Sequence, residues 1–408
     1  MTTALATPIL TQQAVADSDD GLRGRDIVCF SHDWAGDPLS KTHLMRLLAR
    51  HNRVLWVNSI GYRMPSANRA DLGRIWKKLA AARQPVREVE PNIFVLNPLA
   101  IPAYGSSVAR RLNQWWLRVQ IRGAMRRLDF RRPINWTFNP VAAVVAGMLG
   151  EEHLIYQCVD EYSALAGVTP RAIRDLEARL LKEADLVIVS AQRLLQSKRC
   201  INPHTVMVRH GVDFELFRRA LEPQTIVPAE IARLPRPVLG FFGLLSEDWI
   251  DLELLVKLAQ RYASGSLVLL GLVRMDLSRL ALPNVHVLGR QPYESLPAWC
   301  KGFDVGLIPF VQSELTLNAN PLKAREYLAA GLPVVSTDLP EVAVLPVCRI
   351  GRSHEGFLEQ VEAALQQSGP RPERSEQMRS ESWQARLEEI EAHWRCRQGN
   401  AARRSRSP

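Results

Sequence analysis

Asn318–Asp338 reads NANPLKAREYLAAGLPVVSTD, and the order of residue types in it decides the fold. A polar loop leads into a helix that begins near Leu322 and stops at Gly331, and Pro333 then opens an apolar strand. Glycine just past a helix and proline soon after it are ordinary stop signals. A helix N-terminus offers free backbone N–H groups and the positive end of the helix dipole, so a small loop in front of it is a ready phosphate site. Lys323, in the first turn, can add a point charge to a diphosphate, and Glu326, one turn on, can accept hydrogen bonds from a ribose diol. The same two residues also suit a plain surface Lys–Glu pair worth a few tenths of a kcal/mol.

Outward from this stretch, short apolar runs alternate with helical patterns. Strands are expected at Asp26–Ser31, Arg53–Val57, Ile93–Leu96, Ile134–Phe138, His153–Cys158, Leu186–Val189 and Val206–Val208. After a proline-containing interruption they resume at Pro237–Phe242, Leu267–Leu270, Val285–Leu288, Val305–Pro309, Pro333–Thr337 and Val347–Ile350. Continuous apolar runs separated by helices mark parallel strands covered on both faces. The chain is therefore α/β, with two Rossmann-like doubly wound parallel-sheet domains. The expected divisions are a disordered lead-in over residues 1–24, an N-terminal domain over 25–217 and a linker over 218–236. A second domain over 237–374, a helix over 375–397 packing back on the first domain, and a disordered basic tail over 398–408 complete the chain. Two such domains predict a cleft where a ligand meets the strand C-termini of both.

Strand ends in the first domain carry the next candidates. Ser31–Asp37 (SHDWAGD) follows the first strand. Gly36 permits close approach to a diphosphate, and His32 or Asp33 can bind acceptor hydroxyls. The alternative is a capped loop in which Asp37 and Ser40 start the helix through Lys41. Asp160 and Glu161 occupy the equivalent rim, where paired carboxylates can orient or deprotonate a hydroxyl, or simply cap a helix. His210, beside Gly211, either satisfies backbone groups or faces the cleft.

Composition limits the classes open to the chain. Its 408 residues exceed one ordinary core, and 47% hydrophobic against 23% charged residues is a globular balance. Six cysteines stand singly, and no clustered metal ligands appear. The opening residues lack an apolar signal core, and the longest apolar stretch, Val141–Leu149, is too short to span a bilayer. A cytoplasmic protein is expected. The net charge of +10 implies an anionic partner. Between Arg110 and Arg132 lie eight arginines against the single acid Asp129, interleaved with Trp115, Trp116, Leu117 and Ile121. Arg118, Arg122 and Arg126 form one helical face, and Leu112, Trp115, Trp116 and Val119 another. Such a helix suits an anionic membrane surface, although an ordinary amphipathic helix with its tryptophans inside fits equally. No base-reading motif accompanies the patch, so nucleic acid is not an expected partner.

The run Glu326, Tyr327, Ala329, Gly331, Pro333, Val334, Val335 resembles the nucleotide-sugar signature of the GT4 (glycosyltransferase group 1) family. Arg209–Asp213 (RHGVD) is similar to that family's interdomain motif, and Tyr293–Phe310 to its helix and strand before the donor loop. The resemblance covers nearly the whole chain in domain order. It implies a GT-B fold and a retaining sugar transfer from a UDP- or GDP-sugar to a glycan or lipid-linked acceptor, with no metal and no cofactor. It further implies that Glu326 binds the donor ribose, while the backbone of Asn320, Pro321 and Leu322, with Lys323, holds the diphosphate. Arg290 would sit beside the nucleobase, and Gly243 would let the backbone approach the phosphates. Two departures stand out. Asn318 occupies the place of a frequent sugar-binding glutamate, and Glu247, Asp248 and Asp251 follow Gly243 where the family commonly has an arginine and a lysine. Phosphate charge would then be met by Lys323, Lys41 or Arg209. The opening His32-Asp33-Trp34 is similar to a branch of bacterial polysaccharide glycosyltransferases. Two rival readings are a GT-B nucleotide-sugar epimerase, against which Asn318 argues, and a non-catalytic subunit that binds nucleotide-sugar.

Overall fold

The computed structural model describes residues 21–61 and 85–405, so residues 1–20 of the expected lead-in lie outside the described part. The first sheet contains β1 (Asp26–Phe30), β2 (Arg53–Val57), β3 (Arg87–Glu90), β4 (Ile93–Leu96), β5 (Ile134–Thr137), β6 (His153–Cys158), β7 (Leu186–Val189) and β8 (Thr205–Met207). Its order is β3-β4-β2-β1-β5-β6-β7-β8, and every neighbour is parallel except β3 against β4. β1 lies between β2 and β5, with Cys29 level with Trp56 on one side and Trp136 on the other. The second sheet contains β9 (Val238–Phe242), β10 (Ser266–Leu270), β11 (Val285–Val287), β12 (Val305–Ile308), β13 (Val334–Thr337) and β14 (Cys348–Gly351). It is all parallel, in the order β11-β10-β9-β12-β13-β14. In both sheets the order reverses beside the first strand, at β1/β5 and at β9/β12. A crevice opens above each reversal.

The central strands are buried along their lengths, as unbroken apolar runs require when helices cover both faces. β3 has no apolar signature: its REVE sequence forms a charged antiparallel edge, which blunts pairing with other chains.

Helices α1 (Ser40–Leu48), α2 (Ser107–Arg127), α3 (Leu322–Ala329) and α4 (Trp383–Ser405) matter for the site and surfaces discussed below. On α2, the buried residues are Ala109, Asn113, Leu117, Ile121, Ala124 and Met125, at three- to four-residue spacing apart from the adjacent final pair. That stripe leaves Trp115 and Trp116 outside. The reading in which these tryptophans pack into the core is therefore corrected.

The crossing between domains falls at the motif that resembles the family's interdomain one, not at the linker expected from composition. Val208 belongs to the first core and Val212 to the second, so the chain crosses at Arg209–Gly211. The stretch expected as a linker, residues 218–236, packs on the second domain instead. Its prolines punctuate short turns, and Ile231 is buried in that core. The chain returns between Met378 and Trp383, and the two crossings hydrogen-bond through Val212 N–H to the Glu381 carbonyl at 2.9 Å. A side chain on Gly211 would meet the Trp383 nitrogen at 2.8 Å, so only glycine lets the crossings touch. Trp383, Leu387, Ile390 and Trp394 of α4 join the first core. Unlike the disordered tail expected from residue 398, α4 continues to Ser405. Leu22 is already buried, so the ordered chain begins earlier than residue 25.

Candidate functional site

The two switch points face one cavity of about 470 Å³. The first domain contributes Asp37–Lys41 and Val159–Asp160, the crossing contributes His210, and the second domain contributes the remainder, including Gly243, Gly271, Tyr293 and the run Ala319–Lys323 with Glu326.

Two glycines shape the second-domain wall. Gly243 and Gly271 follow β9 and β10 with φ of +137° and +144°. A side chain on Gly271 would overlap the Gly243 carbonyl, and one on Gly243 would come within 2.9 Å of Lys323 Nζ. Lys323 thus lies across bare backbone, its ammonium 5.4 Å from the Phe241 ring centre and 5.1 Å from that of Phe310. Burial pulls its pKa below the ordinary lysine value. It extends from the first turn of α3, whose N-terminus has no side-chain cap. The free N–H groups and positive dipole end there face the cavity's lining loop.

That loop is fixed by Asn320. Its Oδ1 accepts from Arg325 at 2.9 Å, its Nδ2 donates to the Ser190 carbonyl at 2.8 Å, and its own carbonyl accepts from His210 Nδ1 at 2.8 Å. Arg325 is fully buried and paired with Glu381 at 3.0 Å. Burial depresses His210 to a pKa of about 3, so the ring is neutral. With Nδ1 donating, Nε2 is an acceptor, and it is buried with no partner at the cavity wall. His210 thus does both things the sequence left open: it satisfies a backbone carbonyl and borders the cleft.

Glu326 is buried, and its Oε1 accepts from the Tyr293 hydroxyl at 3.2 Å. Burial raises its pKa above the carboxylate norm. Across the cavity, burial raises Asp160 to about 6, while the neighbouring Lys41 holds it down. Lys41 is itself buried, with its ammonium 5.8 Å from the Phe138 ring centre. Arg290 lines the mouth and binds Asp37 of the opposite domain through Nε at 2.9 Å and a terminal nitrogen at 2.5 Å.

Nine candidates thus border the cavity: Asp160, His210, Gly243, Arg290, Asn320, Pro321, Leu322, Lys323 and Glu326. Five do not. His32 is held by Ser31 Oγ at 3.1 Å and Thr42 Oγ1 at 3.4 Å and sits edge-on to Trp56. Asp33 accepts from the Ser59 N–H at 3.1 Å, and Gly36 turns back on the Asp33 carbonyl. This loop is internally tied, and the residues after it reach the cavity instead. Asp37 does not cap α1, because its carboxylate is spent on Arg290. Glu161 instead caps the short turn that follows it, its carboxylate accepting from the Ser163 N–H at 3.4 Å and hydroxyl at 2.8 Å. It binds Lys198 at 2.9 Å, and Lys198 also holds Glu177 at 2.8 Å. The expected carboxylate pair is therefore one carboxylate. Asn318 closes a short helix by donating to the Glu314 carbonyl at 2.7 Å.

The departures noted in sequence acquire a physical account. Asp251 caps the following helix through the Leu254 N–H at 2.9 Å and pairs with His354 at 2.8 Å, so it is not a cavity acid. Arg209 is paired with Glu341 at 2.8 Å, which leaves Lys323 and Lys41 as the buried lysines at the cavity. Sequence reasoning gave Tyr293 and Gly271 no role. Gly271 had a readable signal, a glycine directly after an apolar strand, as with Gly243.

The arrangement of two doubly wound domains around a shared cleft defines a GT-B protein, and comparisons agree. Residues 236–366 match the family Glycosyl transferases group 1. A curated relative, the putative teichuronic acid biosynthesis glycosyltransferase TuaH of Bacillus subtilis (strain 168), is 26% identical over 256 residues, with 57% of this chain covered. The match spans 64% of that relative's length. Among solved structures, sucrose-phosphate synthase from Thermosynechococcus elongatus aligns over 93% of this chain and 98% of its own, with a TM-score of 0.61 and 15% identity. α,α-Trehalose 6-phosphate synthase from Burkholderia multivorans aligns over 92% and 99%, with a TM-score of 0.65 and 12% identity. Anabaena HepE in complex with UDP-glucose aligns over 93% and 99%, with a TM-score of 0.58 and 14% identity. The match to the group 1 glycosyl transferases thus falls on the second domain, which carries most of the cavity wall.

Proposed function

We propose that the protein transfers a sugar from a nucleotide-diphosphate-sugar, a UDP- or GDP-sugar, to a glycan or lipid-linked acceptor in polysaccharide or cell-envelope glycan synthesis. The observation that carries this reading is the second-domain wall: an uncapped helix N-terminus, a buried lysine across two bare glycines, and a buried glutamate one turn deeper, all bordering one cavity. Glu326 binds the ribose diol, Lys323 and the α3 amides meet the diphosphate, and Arg290 lies toward the base. The neutral Nε2 of His210 accepts a hydroxyl of the donor sugar, which satisfies its unpaired lone pair. Asp160 faces the acceptor side, where a carboxylate with a pKa near 6 can take a hydroxyl proton at neutral pH. Negative charge that grows on the departing diphosphate is stabilised by groups already in place, Lys323, Lys41 and the helix end. Retention of anomeric configuration and independence of metal complete the proposal. They rest on the family resemblance.

Incubation with a panel of UDP-, GDP- and dTDP-sugars tests the reading through release of nucleoside diphosphate. Release with the sugar carried unchanged to an acceptor supports a transferase, and release with the sugar epimerised and passed to water supports the epimerase. Binding without turnover supports the non-catalytic subunit.

A further inference from the structure

Helix α2 exposes an apolar face that nothing in the described chain covers. Val108, Leu112, Trp115, Trp116 and Val119 are all exposed, Trp115 at 67% and Val108 at 65% of their full surface. The buried stripe through Asn113, Leu117 and Ile121 fixes the helix's rotation, so this exposure follows from packing. α2 also carries six arginines and no acid. Arg111 and Arg118 are exposed beside the tryptophans, and among the described residues neither forms an ion pair.

The face also has a definite position. Gln120 exchanges hydrogen bonds with the Leu99 backbone at 2.9 and 3.0 Å, just past the end of β4. Asn113 does the same with Ile101 at 2.7 Å in both directions. The half of α2 that precedes Gln120 thus lies alongside the segment just past the C-terminal end of β4. The exposed apolar residues sit on this half, at the strand-end side of the first sheet, from which Asp37–Lys41 and Val159–Asp160 also reach the cavity.

We propose that this half of α2 is a docking surface for an anionic lipid bilayer. Tryptophan and valine enter the interfacial layer while the arginines meet lipid phosphates. Self-association is disfavoured by charge, because a two-fold contact would set arginine-rich, acid-free helices against each other. No described helix is long and apolar enough to cross a membrane, so attachment through this face is peripheral. Its position lets a lipid-borne acceptor approach the cleft from the bilayer, and this last point rests on the transferase reading while the docking face does not.

Sedimentation with vesicles of phosphatidylcholine alone and of phosphatidylcholine mixed with phosphatidylglycerol tests the surface. Binding should need the anionic lipid and weaken as salt rises. The variant R111Q/R118Q should lose about fivefold in partition coefficient per arginine, and W115S/W116S at least about tenfold. Both variants should keep wild-type melting temperatures and donor turnover, because none of these residues borders the cavity. Absence of vesicle binding, undiminished binding by both variants, or a wild-type dimer that W115S/W116S converts to monomer would each overturn the proposal. A protein that binds vesicles but turns over no donor loses only the transferase reading.

Discussion

Replacing Glu326 by alanine is the most exacting perturbation of the proposed donor site. The carboxylate is buried at the cavity, with one oxygen already accepting from Tyr293 at 3.2 Å. A ribose diol supplies two hydroxyl donors, and each charge-assisted bond is worth about 1.5–3 kcal/mol. Loss of both removes roughly 3–6 kcal/mol of donor binding, which is about a hundred- to ten-thousandfold in kcat/KM at 1.4 kcal/mol per factor of ten. Stability should move differently. Burial raises the Glu326 pKa above its unfolded value, so folding favours the protonated acid, and keeping it ionised costs stability as pH rises through the folded-state pKa. The isosteric Glu326→Gln should therefore melt no lower than wild type at pH 8, and any gain should shrink toward pH 4. Steady-state donor turnover and thermal melting of both variants check this. Wild-type kcat/KM in Glu326→Ala, with the fold intact, would refute the placement of the ribose.

Three further substitutions probe other parts of the account. Lys323→Ala should raise donor KM and lower kcat by about ten- to a hundredfold, since one charge-assisted contact to the diphosphate is lost; unchanged constants would return Lys323 to a packing role. Asp160→Asn should abolish the acidic limb of the pH–rate profile, because the wild type should lose kcat/KM as pH falls through about 6, where Asp160 takes up a proton; a limb that survives the substitution belongs to another group. Gly211→Ala should destabilise the protein by about 1–3 kcal/mol, because the added methyl group meets backbone at 2.8 Å in the paired crossings; an unchanged denaturant midpoint would mean that the crossings separate freely.

The strands and the second-domain wall of the cavity were legible for a common reason. Buried parallel strands must be continuously apolar, and a helix start between a polar loop and a glycine stop has a local spelling, as at Leu322–Gly331. β3 escaped because an exposed edge strand answers to solubility rather than burial. The first-domain rim was hard to read because side-chain direction there depends on tertiary contacts. His32 and Asp33 follow a strand as a site should, yet Ser31, Thr42 and Ser59 absorb their hydrogen bonds. Glu161 reads as Asp160's partner, yet Lys198, distant in sequence, holds it. The stretch after Arg218 has a linker's composition, but Ile231 buries it against the second domain, and the crossing at Arg209–Gly211 is too short to have a composition and was legible only through its motif. On α2 the sequence offers two apolar stripes; only packing decides that Leu117 and Ile121 go in and Trp115 stays out.

Bound in the cleft, a nucleotide sugar should place its ribose at Glu326 and its diphosphate at the start of α3. A crystal structure with the nucleoside diphosphate of the donor chosen by the turnover panel tests it most directly. Ribose hydroxyls should lie about 2.7–3.0 Å from the Glu326 carboxylate, with phosphate oxygens at hydrogen-bond distance from Lys323 Nζ and the Leu322–Lys323 amides. A nucleotide bound outside the cavity, or inside it with the ribose away from Glu326, would contradict it.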